Sequence, residues 1–407
     1  MNNRRVVITG LGVVSPLGIG LHPYWQALLE GRHGFAPIRA FDASACRQKC
    51  GAEVDSDRLR ETLAREGLSS SDRSVNMGLA AASEALRHAG LAAGSLPYAA
   101  IFGSALGCSH GWDETFNSFR DKGIRGVRPT AIPRYMHNAL SANISIRFRL
   151  SGPNYTVISA CASSSAALGI AWRLIRSGAV DGALTGGSDA VFLPMTVAGW
   201  NNLGILSPHP DPGLCCRPFD KNRQGTALGE GAAALMLEER EQARARGAVI
   251  LAEILGFAEN SDAGHIANPD AESQARAVRA ALREAGVPAD DLGFVNAHGT
   301  GAPVSDRKEA EALRLALDGP ADRIPVLSLK SYFGHTQGAC GALETVAAVK
   351  TVMEGVLPGN RNMQEPDPDC PILPAGRAAA PMDRRTGLKT SFGFGGHNTA
   401  LVLGPPV

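Results

Sequence analysis

Ala85-Leu86-Arg87-His88-Ala89-Gly90 returns far downstream as Ala281-Leu282-Arg283-Glu284-Ala285-Gly286. Each copy is a helix-forming run that stops at glycine, the residue that takes the left-handed helix-end conformation at least cost. After a short linker each continues into a strand and a glycine-containing loop, Phe102-Gly103-Ser104 in the first and His298-Gly299-Thr300 in the second. A further strand then runs towards a small-residue helix, through Val157-Ile158-Ser159-Ala160-Cys161 and through Val326-Leu327-Ser328-Leu329-Lys330. A repeat of this period predicts a duplication. The halves are expected at 1–250 and 251–407, divided after Glu238-Glu239-Arg240-Glu241, which reads as a charged helix.

Outward from the repeat, short β-rich runs alternate with Ala-rich stretches, which predicts an α/β fold. Expected strands are Val6–Thr9, Ala99–Phe102, Tyr155–Ile158, Phe294–Asn296, Lys389–Phe392 and Thr399–Leu403. Their continuous apolar character implies a sheet covered on both faces. The Pro-rich segment from Pro358 to Pro381 reads as an ordered surface excursion.

Composition narrows the function. With 40 basic and 39 acidic residues the net charge is +1, so no broad field draws the chain to nucleic acid or anionic lipid. No apolar run is long enough to span a bilayer, and the start lacks the apolar core of a signal peptide. The eight cysteines show no CxxC pair and no zinc spacing, so no metal is expected and a reduced, cytoplasmic setting is. Gly10-Leu11-Gly12 lacks the rest of a dinucleotide fingerprint. Thr185-Gly186-Gly187-Ser188-Asp189, read as a loop, lacks the ending of a phosphate loop.

Four segments carry chemistry. Cys161 stands between a strand and the Ala/Ser run Ala162–Leu168, at a helix start whose unpaired N–H groups favour thiolate; the alternative is a buried cysteine in a tight packing site. A strand delivers His298 into the loop Asn296-Ala297-His298-Gly299-Thr300-Gly301, as a functional imidazole or as a turn cap. His335 precedes the Gly/Ala helix that also holds Glu344; a carboxylate there needs a partner, and Lys330 is the natural one. Phe392-Gly393-Phe394-Gly395-Gly396-His397-Asn398 is a hairpin, or a turn whose N–H groups face a ligand.

Together, and in order along nearly the whole chain, these segments resemble the condensing enzymes, most closely the elongating β-ketoacyl-acyl-carrier-protein synthases of type II fatty acid synthesis. The resemblance also covers Val7–Gly12 and Arg217-Pro218-Phe219-Asp220 with Gly229-Glu230-Gly231. It implies a five-layered αβαβα thiolase-like fold and a dimer. It implies a decarboxylative Claisen condensation of an acyl group held on Cys161 with malonyl-acyl carrier protein, in fatty acid or type II polyketide or polyene synthesis.

The resemblance makes Cys161, His298, His335 and Lys330 catalytic and Glu344 supporting, with the N–H groups of Cys161 and Phe394 as oxyanion hole. Leu106, Trp200, Thr226, Phe392 and Phe394 fall at acyl-pocket or gate positions, and Thr300, Ala302 and Ala267 along the pantetheine tunnel. At Ala302 and Ala267 the family more often has Thr, and at Thr226 an aromatic, which suggests a reshaped pocket. No cofactor is implied beyond the phosphopantetheine of the carrier. Arg58, Arg60, Arg65 and Arg73 are candidates for a basic docking rim. Alternatives are the catalytic subunit of a heterodimer with a chain-length-factor-like partner, an idle carrier-binding scaffold, and a Cys-His hydrolase.

Overall fold

The computed structural model describes residues 4–70, 72–91, 94 and 96–406. The first half contributes strands β1 (Val6–Ser15), β2 (Ala99–Gly103), β3 (Asn154–Val157), β4 (Gly182–Asp189) and β5 (Gly231–Glu239). Its main helices are α1 (Arg73–His88) and α2 (Ser163–Arg176). The second half contributes β6 (Ala252–Ser261), β7 (Leu292–Asn296), β8 (Pro325–Leu327), β9 (Thr386–Gly393) and β10 (His397–Gly404). Its main helices are α3 (Ala271–Ala285), α4 (Pro303–Leu317) and α5 (Cys340–Glu354).

The two halves have one topology. Spatial order is β1-β5-β4-β2-β3 in the first and β6-β10-β9-β7-β8 in the second. In each, the fourth strand in this order pairs parallel with both neighbours, β2 with β3 and β4, and β7 with β8 and β9. The remaining pairs, β4–β5, β5–β1, β9–β10 and β10–β6, are antiparallel. The half-sheets join where Val6–Ile8 of β1 pair with Ala252–Ile254 of β6.

Three apolar clusters set the layers. One lies between α1 and the outer face of the first half-sheet, with Leu79, Leu86, Phe102 and Met236. A second lies between α3, α4 and the outer face of the second, with Val278, Val295, Leu313 and Val402. The largest lies between the half-sheets, where Leu168, Trp172, Leu343 and Val346 of α2 and α5 pack against both. The result is the layering α1, sheet, α2 with α5, sheet, α3 with α4. The duplicated αβαβα architecture is therefore the one expected.

Gly90 and Gly286 both have positive φ, +68° and +63°, as the helix-stop reading requires. Two local expectations are corrected. Thr185–Asp189 is the end of buried strand β4 rather than a loop; its glycines allow close packing, since a Cβ on Gly186 would lie 2.0 Å from the Ala233 carbonyl oxygen. Glu238 and Glu239 end β5, and the charged helix is Arg240–Ala245. The carboxylate of Glu238 is held inside by Arg246, which lets a charge finish a strand. Gly10 and Gly12 sit within β1, where a Cβ would meet the Ala85 and Ala81 carbonyl oxygens of α1 at 2.1 and 2.0 Å. Helix packing accounts for them. From the Pro-rich excursion Asn360 reaches back, taking the Ser328 N–H and donating to the Val326 carbonyl, both at 2.8 Å.

Gly103 closes β2 against the first turn of α2, where a Cβ would stand 2.3 Å from the Ser164 nitrogen. Gly103→Ala is predicted to lower stability by about 1–3 kcal/mol, as overpacking does. The denaturant midpoint reads the loss, and slower alkylation of Cys161 reads the displacement of the segment that carries it.

Candidate active site

Strand β3 ends just before Cys161, and α2 begins just after it. The chain makes this turn by forcing Ala160 to φ +48°, an unfavourable conformation for a residue with a Cβ. Ser163 ties the turn down: its hydroxyl donates to the Ala160 carbonyl at 2.6 Å and accepts the Ser159 N–H at 2.9 Å. Gly393, in the turn leaving β9, lies against it, and a Cβ there would come within 2.8 Å of the Ser159 carbonyl oxygen. The neighbouring Phe394 N–H is thereby set near the Cys161 sulfur, where it favours the thiolate.

The second half brings two imidazoles to this thiol. His335 Nε2 is 3.0 Å from Cys161 Sγ. The His298 and His335 rings meet edge-on, with centroids 5.5 Å apart. Glu309 of α4 fixes the His298 backbone by accepting its N–H at 2.8 Å and that of Gly299 at 2.6 Å. Lys330 Nζ stands 3.4 Å from His298 Nδ1 and donates to the His298 carbonyl. An ammonium at Nδ1 leaves the ring proton on Nε2.

Lys330 pairs with Glu344 at 2.6 Å, as expected. The sequence reading missed the other half of this arrangement, because Lys389 holds the second oxygen of Glu344 at 2.7 Å. The signal was a lysine inside an expected buried strand. All three groups are almost wholly buried, so the cluster of two ammoniums and one carboxylate carries net positive charge beside the imidazoles. Burial first, then Lys330, pushes both histidines well below the ordinary 6.5. Asp189, at the end of β4, was also missed. It accepts from Ser104 Oγ at 2.7 Å and from the N–H groups of Ala105, Leu106 and Gly338 at 2.8, 3.0 and 2.7 Å. It thereby joins the loop after β2 to the turn after His335, and burial pushes it up to about 6.

One expectation is corrected. The start of α2 does not leave Cys161 as a resting thiolate. Burial, reinforced by Cys340, pushes the thiol up, against the opposing pull of Lys330 and the Phe394 N–H. Both shifts favour a neutral thiol beside a neutral imidazole.

Cys161, His298 and His335 line a cavity of about 910 Å³, part of it open to solvent. Trp200, Thr226, Phe392, Phe394, Thr300, Ala302 and Ala267 line it too, as the sequence reading expected. Trp200 stacks on Phe394 with centroids 5.9 Å apart and planes at 20°, and meets His335 edge-on. Exposed Ile266, Ala267 and Val304 mark the mouth. Leu106 packs on the cluster of Val191, Phe192 and Leu228, which Trp200 also touches, and Asp189 accepts its N–H. None of Arg58, Arg60, Arg65 and Arg73 lines the cavity. Arg58 and Arg60 pair with Asp55 and Asp57 on their own helix, and Arg73 is drawn onto buried Glu230. Among the described residues no His, Cys, Asp or Glu cluster could hold a metal ion, and no helix is long and apolar enough to cross a membrane.

The family model "Beta-ketoacyl synthase, N-terminal domain" matches residues 3–243, and "Beta-ketoacyl synthase, C-terminal domain" matches 251–364. The chain is 37% identical to 3-oxoacyl-[acyl-carrier-protein] synthase 2 of Synechocystis sp., over 99% of this chain and 98% of that one. It is 36% identical to the tetracenomycin polyketide synthase ketoacyl synthase alpha subunit of Streptomyces glaucescens, over 99% and 97%. Among solved structures, the ishigamide ketosynthase/chain length factor superposes with a TM-score of 0.92 at 34% identity, covering all of both chains. A thiol and two imidazoles meeting between duplicated half-sheets, in a chain matched over its length by such relatives, identify it as a member of the β-ketoacyl synthase family.

Proposed function

We propose that this chain condenses an acyl group, held as a thioester on Cys161, with malonyl-acyl carrier protein, releasing carbon dioxide and a β-ketoacyl-acyl carrier protein. The observation that carries this reading is the 3.0 Å approach of His335 Nε2 to Cys161 Sγ, with His298 beside it at the base of a cavity open to solvent.

In the first half-reaction the sulfur attacks an acyl-phosphopantetheine thioester. The thiol proton leaves through His335 Nε2 to the departing pantetheine thiol. Because the thiol is held up and the imidazole down, the proton moves as the new bond forms and not beforehand. Charge on the acyl oxygen is met by the N–H groups of Cys161 and Phe394, fixed by the Gly393 contact. In the second half-reaction the malonyl thioester carbonyl accepts the Nε2–H bond of His298, the tautomer that Lys330 fixes, and an Nε2–H bond from His335 once its ring proton has been exchanged from Nδ1 to Nε2. The enolate left by carbon dioxide attacks the acyl carbonyl, and Cys161 departs as thiolate and is reprotonated. Dividing the condensation between two acyl transfers is the advantage of covalent catalysis. Burial first, then Lys330 and Lys389, keep both imidazoles neutral, the form that can donate to a carbonyl without first losing a proton. The phosphopantetheine of the carrier is the only group required, and eight free thiols support a reducing, cytoplasmic setting.

The halves 1–250 and 251–407 then divide the work, nucleophile from histidines, as the repeated topology suggests. A two-chain assembly is favoured by the edge strand β3, where Tyr155, and Ile158 just beyond the strand, are about half exposed, and by exposed Trp112, Phe116, Phe119 and Ile124 in the same half of the chain. The partner is a second copy or a chain-length-factor-like subunit. The mass of the chain expressed alone separates the two.

Incubation with acyl-carrier protein is expected to add one acyl mass to the intact chain, and malonyl-carrier protein to discharge it as β-ketoacyl product. Cys161→Ala removes the mass shift; acylation that survives it would defeat the reading. His298→Ala is predicted to slow malonyl decarboxylation by about 10²–10³-fold, the usual cost of one lost charge-stabilising donor, while Cys161 still acylates. The pH dependence follows from the depressed histidines. Neutral imidazoles persist well below pH 6.5, so decarboxylation does not decline on passing from pH 7.5 to 6.5. Lys330→Met removes a positive charge beside His298 and moves the acid limb to higher pH, read from the pH–rate profile. In the unfolded chain the histidines protonate near 6.5, so they add stability above that pH and the contribution fades as pH falls below it. Urea midpoints measured from pH 7 to 5 report the slope.

A further inference from the structure

Most polar side chains lining the cavity are already committed within the protein. Asp262 accepts from Asn398 Nδ2 at 2.6 Å. His265 Nδ1 accepts the Ala267 and Asn268 N–H groups, each at 3.1 Å. Thr300 Oγ1 is engaged with Asp306 and the Ala302 N–H at 3.4 and 3.2 Å. Ala267 and Ala302 carry no polar side-chain atom. Gln274 differs. It sits in the first turn of α3, is 1% exposed, lines the same cavity as Cys161, and its Oε1 has no hydrogen-bond partner. Thr226 Oγ1 and His335 Nδ1 are the other such atoms among the described lining residues; the Cys216 thiol stands beside the first, and the second is the far nitrogen of the imidazole already set against Cys161.

A buried carbonyl oxygen left unpaired is costly, and native structures seldom keep one without use. What fills this cavity in the reaction is a thioester on a phosphopantetheine arm, a chain bearing secondary amides. Each amide N–H loses water on entering between largely apolar walls and needs an acceptor there. The walls at Ala267 and Ala302 offer no side-chain acceptor. Gln274 does, from the flank that also carries Ala302, Val304 and the 262–269 loop. We propose that the Gln274 side-chain carbonyl accepts a hydrogen bond from an amide N–H of the phosphopantetheine arm and so selects amide-bearing thioesters. The proposal rests on the ketosynthase reading above.

The test compares two acyl donors with the same acyl group, an S-acyl pantetheine and an S-acyl ethanethiol that has no amide. Acylation of Cys161 is followed by intact mass in the full chain, unmodified and as Gln274→Met, a near-isosteric change that removes the acceptor. The pantetheine donor's kcat/KM is expected to fall roughly three- to tenfold relative to that of the ethanethiol donor, the usual worth of one hydrogen bond. Because both donors report on the same thiol in the same folded protein, a folding defect lowers both and leaves the ratio unchanged. An unchanged ratio overturns the proposal, and repetition with Gln274→Leu guards against a rescue by the Met sulfur. An unmodified chain that takes no acyl group from either donor overturns the ketosynthase reading itself.

Discussion

The close contact of α2 with α5 is the constraint on which the site depends. These helices come from different halves and touch because their facing side chains are small. A Cβ on Gly341 would lie 2.2 Å from Ser165 Oγ, and Ser164 Oγ accepts the Ala342 N–H at 2.9 Å. Cys340, at the start of α5, donates to the Cys161 carbonyl at 3.3 Å. With the helices this close, the turn before α2 and the turn before α5 are forced together, and those turns carry Cys161 and His335. A larger residue in the seam would separate thiol from imidazole without touching either.

The electrostatics of the site run against a simple reading of a helix start. A helix N-terminus favours negative charge, but that effect is worth only a kcal/mol or so, whereas removing a thiolate from water costs more. Burial therefore wins at Cys161 and at both histidines. The buried ion pairs then take a different role from stabilising the fold. Glu344, shared by Lys330 and Lys389, leaves the cluster positive. That charge disfavours imidazolium and favours the anions formed in each half-reaction. On the proposed mechanism, one arrangement serves the thiolate, the enolate and the tetrahedral oxyanion.

The cavity adds selectivity by shape. Trp200 stacked on Phe394 places an aromatic wall directly on the turn whose N–H faces the sulfur. A movement of that turn which opens the wall also moves the Phe394 N–H. Thr226 in the same wall leaves room where a larger side chain would fill it.

Much of this was legible in the sequence. The repeat ending at Gly90 and Gly286, the strand leading into Cys161, and the two glycine-flanked histidines depend on local conformation, which neighbouring residues largely determine. They were enough to give the architecture and to name the thiol and imidazoles that the fold brings together. What the sequence could not give was set by non-local packing. Glu344 looked to need one partner, and only the fold brought Lys389 to it from the last but one strand. Asp189 read as part of a loop until the strand pairing buried it and two separate segments, 104–106 and the turn at Gly338, converged on its oxygens. Arg73 was drawn onto buried Glu230, a partner distant in sequence. The charge state of Cys161 was likewise decided by depth of burial, a property of the whole molecule that no segment carries by itself.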